Sequence, residues 1–156
     1  MTCRNGRPRA RDKRKPIEDI LELYELGHRD FGENRVQEMI EKAPLLPDDI
    51  HWHFIGHLQS NKVKYLAPFV YMVHSVDKLK LLKEIDKQAL RFGKKIKCLF
   101  QYHIAEEENK FGFLHDEVLH LINSEVFAEM HNIEVAGLMG MATNTQDKHK
   151  VSSEFK

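Results

Sequence analysis

Apolar residues recur along the chain with two different periods, and the switches between them divide it into helices and strands. Pro16 suits the first position of a helix. Ile17, Ile20, Leu21, Leu23 and Tyr24 then give one apolar face, which Gly27 closes. Residues 28–32 read as a brief strand, Glu33 and Asn34 as a turn, and residues 35–42 as a helix with Val36, Met39 and Ile40 inward. Pro44 and Pro47 mark a loop. Residues 51–57 then alternate with period two. His51, His53, Ile55 and His57 fall on one face, and Trp52 and Phe54 fall on the other, toward a helical layer. Gly56 lets another backbone come close or relieves a bend. Ser60 is placed to cap a helix through Val63, Leu66 and Ala67 that stops near Pro68.

The second half repeats the scheme. Residues 69–74 form an apolar run that reads as a buried strand. Ser75 or Asp77 caps a helix whose face is Leu79, Leu82, Ile85, Ala89 and Leu90, closed by Gly93. Residues 96–104 are the next strand and 105–110 an acidic loop. Residues 117–130 are a helix, with Val118, Leu121, Ile122, Val126 and Phe127 inward. Residues 133–141 are a strand with Gly137 and Gly140 in it. Thr143, Asn144 and Thr145 offer caps for a last helix near Gln146. Strands alternating with helices through short connections predict an α/β fold with a parallel sheet. Ligands of such folds bind at the C-terminal ends of the strands.

Composition narrows the function classes. A length of 156 residues with 42% hydrophobic content argues for one domain with a packed core. Lysine plus arginine balance aspartate plus glutamate at 24 each, so no global field favours nucleic acid or a membrane. No apolar run approaches the roughly 20 residues that span a bilayer. The start of the chain has no secretory apolar segment. Cys3 and Cys98 are too far apart for a metal knuckle and fit a reducing compartment. The expected location is cytoplasmic.

Residues 1–15 differ from the rest. Arg4, Arg7, Arg9, Arg11, Lys13, Arg14 and Lys15 face a single acid, Asp12. The expectation is a solvated arm ahead of a domain over 16–156. A nucleic-acid arm, and a segment standing in place of a first strand, are the other readings.

Candidate chemistry sits near the strand ends. His51, His53 and His57 share a face, and a His-x-His strand suits a divalent metal, so a metal-dependent hydrolase is one reading; structural histidines are the other. Asn34 suits either a ligand contact or a helix cap. Gly140 could admit a ligand or a neighbouring backbone, with core packing as the alternative. Lys110, beside Glu106, Glu107 and Glu108, is a solvated loop lysine or a secondary aldehyde-reactive site.

Three separated segments carry a resemblance. Residues 31–38 (Phe-Gly-Glu-Asn-Arg-Val-Gln-Glu), residues 52–62 (Trp-His-Phe-Ile-Gly-His-Leu-Gln-Ser-Asn-Lys) and residues 137–142 (Gly-Leu-Met-Gly-Met-Ala) closely resemble the YggS/PROSC family of pyridoxal-phosphate homeostasis proteins. The resemblance implies a TIM-type (β/α) barrel like the N-terminal domain of alanine racemase. It also implies pyridoxal 5'-phosphate held as a Schiff base by a lysine at the end of the first strand, in a Ser-Lys-Thr-Lys-Pro-like stretch. The matching run here is residues 12–16, so Lys13 aligns with the cofactor lysine and Asn34 with the cofactor-facing asparagine. The family implies carriage or buffering of the cofactor without established turnover, a monomer, and PLP-dependent apoenzymes as partners.

Two departures are visible. Residues 7–12 stand where the family has an apolar strand. The family's Ser-Met-Gly-Met-Ser-like loop and Arg-Ile-Gly segment, which hold the phosphate, do not occur. A barrel of this class needs roughly 200 residues or more. The expectation is therefore a truncated barrel of about five to six βα units, with weak cofactor affinity and a sheet edge at residues 133–141 prone to self-association.

Overall fold

The computed structural model describes residues 16–104, 111–143 and 145–155. The expected basic arm, Lys13, Lys110 and the acidic loop lie outside the described residues. The period-two pattern produces what it predicts. Strand β2 (His51–Phe54) buries Trp52 and Phe54, 3% and 0% exposed, and leaves His51 and His53 half-buried on its other face. It sits between β1 (Asp30–Glu33) and β3 (Val70–Val76). β4 (Ile96–Tyr102) and β5 (Ile133–Gly140) complete a five-stranded parallel sheet in the order β1-β2-β3-β4-β5.

Chain order and spatial order coincide, with no reversal. Right-handed crossovers in one direction place the helices on one side of the sheet. The fold is α/β with the strand order of a (β/α) barrel wall. The helices are α1 (Ile17–Glu25), α2 (Val36–Lys42), α3 (Val63–Leu66), α4 (Leu79–Arg91), α5 (His115–Ile122), α6 (Glu125–Ala128) and α7 (Lys148–Glu154). Between sheet and helices lies the core, where Phe54, Val73, Val76, Cys98 and Phe100 meet Met39, Leu66, Leu82, Ile85 and Ala89. Burial pushes the Cys98 thiol up to about 12, helped by the nearby Asp86 charge. Among the described residues, no helix is long and apolar enough to cross a membrane.

Several local expectations are corrected. The strand predicted over 51–57 ends at Phe54. Ile55 still donates its N–H to the Glu33 carbonyl, but the chain then turns through Gly56. Ser60 caps no helix; a single 3₁₀ turn, Ser60–Lys62, leads into the short α3. Neither Ser75 nor Asp77 caps α4, because Ser75 lies inside β3 and Lys78 holds the cap position. The buried face of α4 is Leu81, Leu82, Ile85, Gln88 and Ala89, whereas Leu90 is exposed. The single helix predicted over 117–130 is two. Ser124 breaks it by accepting a hydrogen bond from the Phe127 N–H, an ordinary serine cap. Asp147 caps α7, where Thr143 and Thr145 were expected to; Asn144 lies outside the described residues. Gly27 and Gly93 end α1 and α4 at φ of +96° and +61°, in the left-handed region that glycine tolerates.

Two polar clusters fix the β1 side. At the N-terminal end of the strands, Arg29 Nε donates to Asp49 at 2.7 Å, Tyr24 Oη donates to the same carboxylate at 2.6 Å, and the guanidinium lies over the Tyr24 ring. On the helical side, the Lys42 ammonium on α2 pairs with Glu33 of β1 and lies 3.7 Å from Glu38. The three side chains are 9%, 12% and 12% exposed.

Candidate functional site

Loops leaving the C-terminal ends of four strands converge. After β1 comes Asn34, exposed at the sheet rim. After β2 the chain passes so close beneath Asn34 that a Cβ on Gly56 would overlap the Asn34 carbonyl oxygen and stand 2.8 Å from its carbon. Glycine is required there by close approach, and its φ is ordinary. Ser75 of β3 donates its hydroxyl to the Gly56 carbonyl and so holds this crossing from the other side. His57 follows Gly56. Its Nδ1 lies 3.5 Å from the Asp77 carboxylate, whose side chain is 3% exposed. Its ring stacks on Phe111, centroids 4.1 Å apart. Phe111 is anchored in turn, because the buried Gln101 at the end of β4 donates its amide to the Phe111 carbonyl.

A second constellation lines the non-helical face of the sheet. Asp30 Oδ1 accepts from His53 Nε2 at 3.1 Å and from His51 Nδ1 at 3.2 Å. His53 Nδ1 meets His74 Nε2 at 2.8 Å. His51 stacks on Tyr71, and Lys97 Nζ donates to the Tyr71 hydroxyl at 2.7 Å. Hydrogen bonds from His53 and then His51 hold the Asp30 carboxyl below its usual range. Burial, with the neighbouring His53 second, pulls His74 below its usual 6.5. The Tyr71 oxygen beside it, with a smaller contribution from the Glu134 charge, raises the Lys97 ammonium above its ordinary value.

The histidine row carries a testable consequence. The folded pKa of His74 lies below the unfolded value, so acid protonates the unfolded chain first. As pH falls through about 6.5 the unfolded state binds more protons, and stability drops. Urea midpoints measured from pH 7.5 down to pH 5 are expected to fall, and His74→Gln is expected to flatten that slope. An unchanged slope in the variant would assign the acid sensitivity elsewhere.

Each predicted site residue has an outcome. Asn34 is at the rim. Lys13 lies outside the described residues. The His-x-His pair spends its nitrogens on Asp30 and His74. Among the described residues no group of three His, Cys, Asp or Glu side chains could hold a metal ion, so the metal-dependent hydrolase reading gains no support. Gly140 admits a neighbouring side chain, since a Cβ there would stand 2.9 Å from Ile104 Cδ1. Sequence reasoning missed Asp77, Ser75, Gln101 and Phe111 as parts of the rim. For Asp77, Ser75 and Gln101 the one signal was position at or just past a strand end; Phe111, well beyond the end of β4, carried none.

The donor set at the rim, a carboxamide, an imidazole and an aromatic face at the C-terminal ends of parallel strands, fits a planar polar cofactor. Comparisons with known proteins agree. Residues 14–156 match the family described as alanine racemase, N-terminal domain. A pyridoxal phosphate homeostasis protein of Aquifex aeolicus is 38% identical, covering 92% of this chain and 63% of that protein. The one of Homo sapiens is 35% identical, over 88% of this chain and 53% of its own length. The chain thus spans less than two thirds of these relatives. Among solved structures, PipY of Synechococcus elongatus with PLP bound superposes with a TM-score of 0.72 at 32% identity, covering 85% of this chain and 61% of that one. An alanine racemase from Clostridium difficile, at 14% identity and a TM-score of 0.65, shares the fold.

Proposed function

Because the chain belongs to the alanine racemase N-terminal-domain family, and within it groups with the pyridoxal phosphate homeostasis proteins, we propose that it binds pyridoxal 5'-phosphate and carries or buffers it in vitamin B6 homeostasis. The observation that supports this most is the crossing of Gly56 beneath Asn34. It joins two of the family-like segments at the strand ends where such folds place ligands. Lys13 is the residue assigned to hold the cofactor, and Asn34 the one assigned to hydrogen-bond it. When bound, the cofactor supplies an aldehyde that condenses with a lysine amine. The chain's own residues supply the exposed carboxamide of Asn34, the His57 imidazole stacked on Phe111, and the aromatic face of Phe111.

Carriage is favoured over turnover. Catalysis needs a positioned substrate and excluded water, whereas Asn34 and Ile55 stand exposed at the rim. PLP-dependent apoenzymes are the acceptors we assign, the cytoplasm the location, and residues 16–156 a single domain. The outer edge of β5, paired only with β4 among the described residues, is where copies of the chain would self-associate. Gel filtration before titration reads that.

The experiment is a titration followed by borohydride reduction and peptide mapping. Label is expected mainly on Lys13, with lesser labelling of Lys15 and Lys110, and Lys13→Ala is expected to remove the main label. Labelling that skips Lys13 would overturn its assignment, and no specific label anywhere would overturn the cofactor reading.

A further inference from the structure

Asp77 faces two ways. On the rim side its Oδ2 lies 3.5 Å from His57 Nδ1. On the other side it lines a cavity of about 580 Å³ between the start of α4 and the α5–α6 pair. The Asp77 side chain is 3% exposed, and its Oδ1 has no hydrogen-bond partner. The two oxygens of a carboxylate diverge, so Oδ1 points away from His57. It points toward Lys78, itself a lining residue, whose ammonium stands 3.7 Å off, beyond hydrogen-bond length. Lys78 keeps 47% of its side chain exposed, so its long stem is free to swing aside. A buried anionic oxygen without a donor destabilises the folded chain, and a donor brought by a ligand relieves that cost.

The rest of the cavity sets what that donor is attached to. Its floor is apolar. Phe113 and Leu121 are buried there, and the more exposed Leu79 and Val126 continue it. The Phe113 ring meets Phe100 edge-on, centroids 5.4 Å apart, so the floor is fixed. Asp116 and Glu117, in the first turn of α5, are exposed beside it. With Asp77 they set three carboxylates against one ammonium, and His120 is the remaining titratable group of the lining. Surplus negative charge around an apolar floor attracts cations and repels anions. The volume lies in the range of ordinary small-molecule cavities.

From this geometry we propose that the cavity is a binding site for a small organic cation, a primary ammonium on an aromatic or branched apolar body. The ammonium takes the place of the Lys78 head group and donates to Asp77 Oδ1, and the body lies over Phe113 and Leu121. The site is formed by described residues alone and does not depend on the cofactor reading above.

The test uses the chain after borohydride treatment, which leaves no aldehyde to react with an amine. Titrations followed by amide NMR shifts give both affinity and location for three probes of similar shape: 2-phenylethylammonium, the neutral 2-phenylethanol and the anion 3-phenylpropionate. The ammonium is expected to bind with a Kd on the order of 0.1 mM. Its shifts are expected to centre on Leu79, Gly112 and Leu121, which line the cavity. The alcohol is expected to bind about 30-fold more weakly, and the anion not at all. Asp77→Asn is expected to bring the ammonium down to the affinity of the alcohol. Lys78→Met is expected to tighten ammonium binding about fivefold, because the resident cation no longer competes, and serves if Asp77→Asn fails to fold. Val126→Trp fills the cavity and is expected to remove binding of both. Equal wild-type affinity for ammonium and alcohol would overturn the proposal, as would no binding or shifts centred on Asn34 and Ile55 at the rim. So would a Lys78→Met chain that binds the ammonium no more tightly than wild type.

Discussion

Gly56→Ala is expected to be among the most damaging single substitutions in the chain. The added methyl meets the Asn34 carbonyl group, which is backbone and has no rotamer to escape into. Either the β1–α2 turn or the β2 end must move. Moving the latter strains the Ser75 hydroxyl bond to the Gly56 carbonyl. Overpacking of this kind costs about 2–4 kcal/mol, and Tm is expected to fall by on the order of 10 °C. The functional effect is separable from the loss of stability. Titrated below its own unfolding transition, the variant is expected to bind pyridoxal phosphate more weakly, because Asn34 is displaced. Wild-type stability would show that the crossing is looser than described. Reduced stability with wild-type affinity would detach Asn34 from the cofactor.

The second large effect concerns Lys42. Truncation in Lys42→Ala leaves the Glu33 and Glu38 carboxylates, each 12% exposed, with no ammonium between them. Breaking a buried pair from one side costs about 3–5 kcal/mol, because the remaining charges stay desolvated. The loss is expected as a lower urea midpoint at unchanged m-value. Combining Lys42→Met with Glu33→Gln and Glu38→Gln is expected to recover much of it, since no lone charge then remains. Failure of the triple variant to recover would show that the lysine's packing along α2 matters more than its charge. Glu33 ends β1 next to Asn34, so the ion cluster also fixes the start of the candidate site.

The sequence exposed what depends on short-range alternation. Trp52 and Phe54 declared the buried face of β2, and Gly27 and Gly93 declared two helix ends, because side-chain period and left-handed backbone are local properties. Asn34 drew notice through its neighbours in a recognisable segment, and the structure places it at the rim of the sheet after β1. The role of Gly56 was legible only as a pair of options, and the structure selects close approach. Asp77 and Ser75 were misread as caps because capping and tertiary bonding use the same side chains. Only the sheet register, which brings β3 beside the β2 turn, decides between them. The Asp30–His53–His74 row was invisible for a similar reason. Its members lie on three strands, and no spacing along the chain encodes which of them are neighbours.

Cys98 has a practical consequence. Its sulfur is sealed under α4, and at ordinary pH almost none of it is thiolate. An alkylating reagent therefore reaches it only when the sheet and helices part. The rate at which Cys98 is alkylated, read apart from Cys3 by peptide mass, becomes a clock for the opening of the protein. That clock runs in plain buffer without denaturant and works equally well in the presence of any ligand under test.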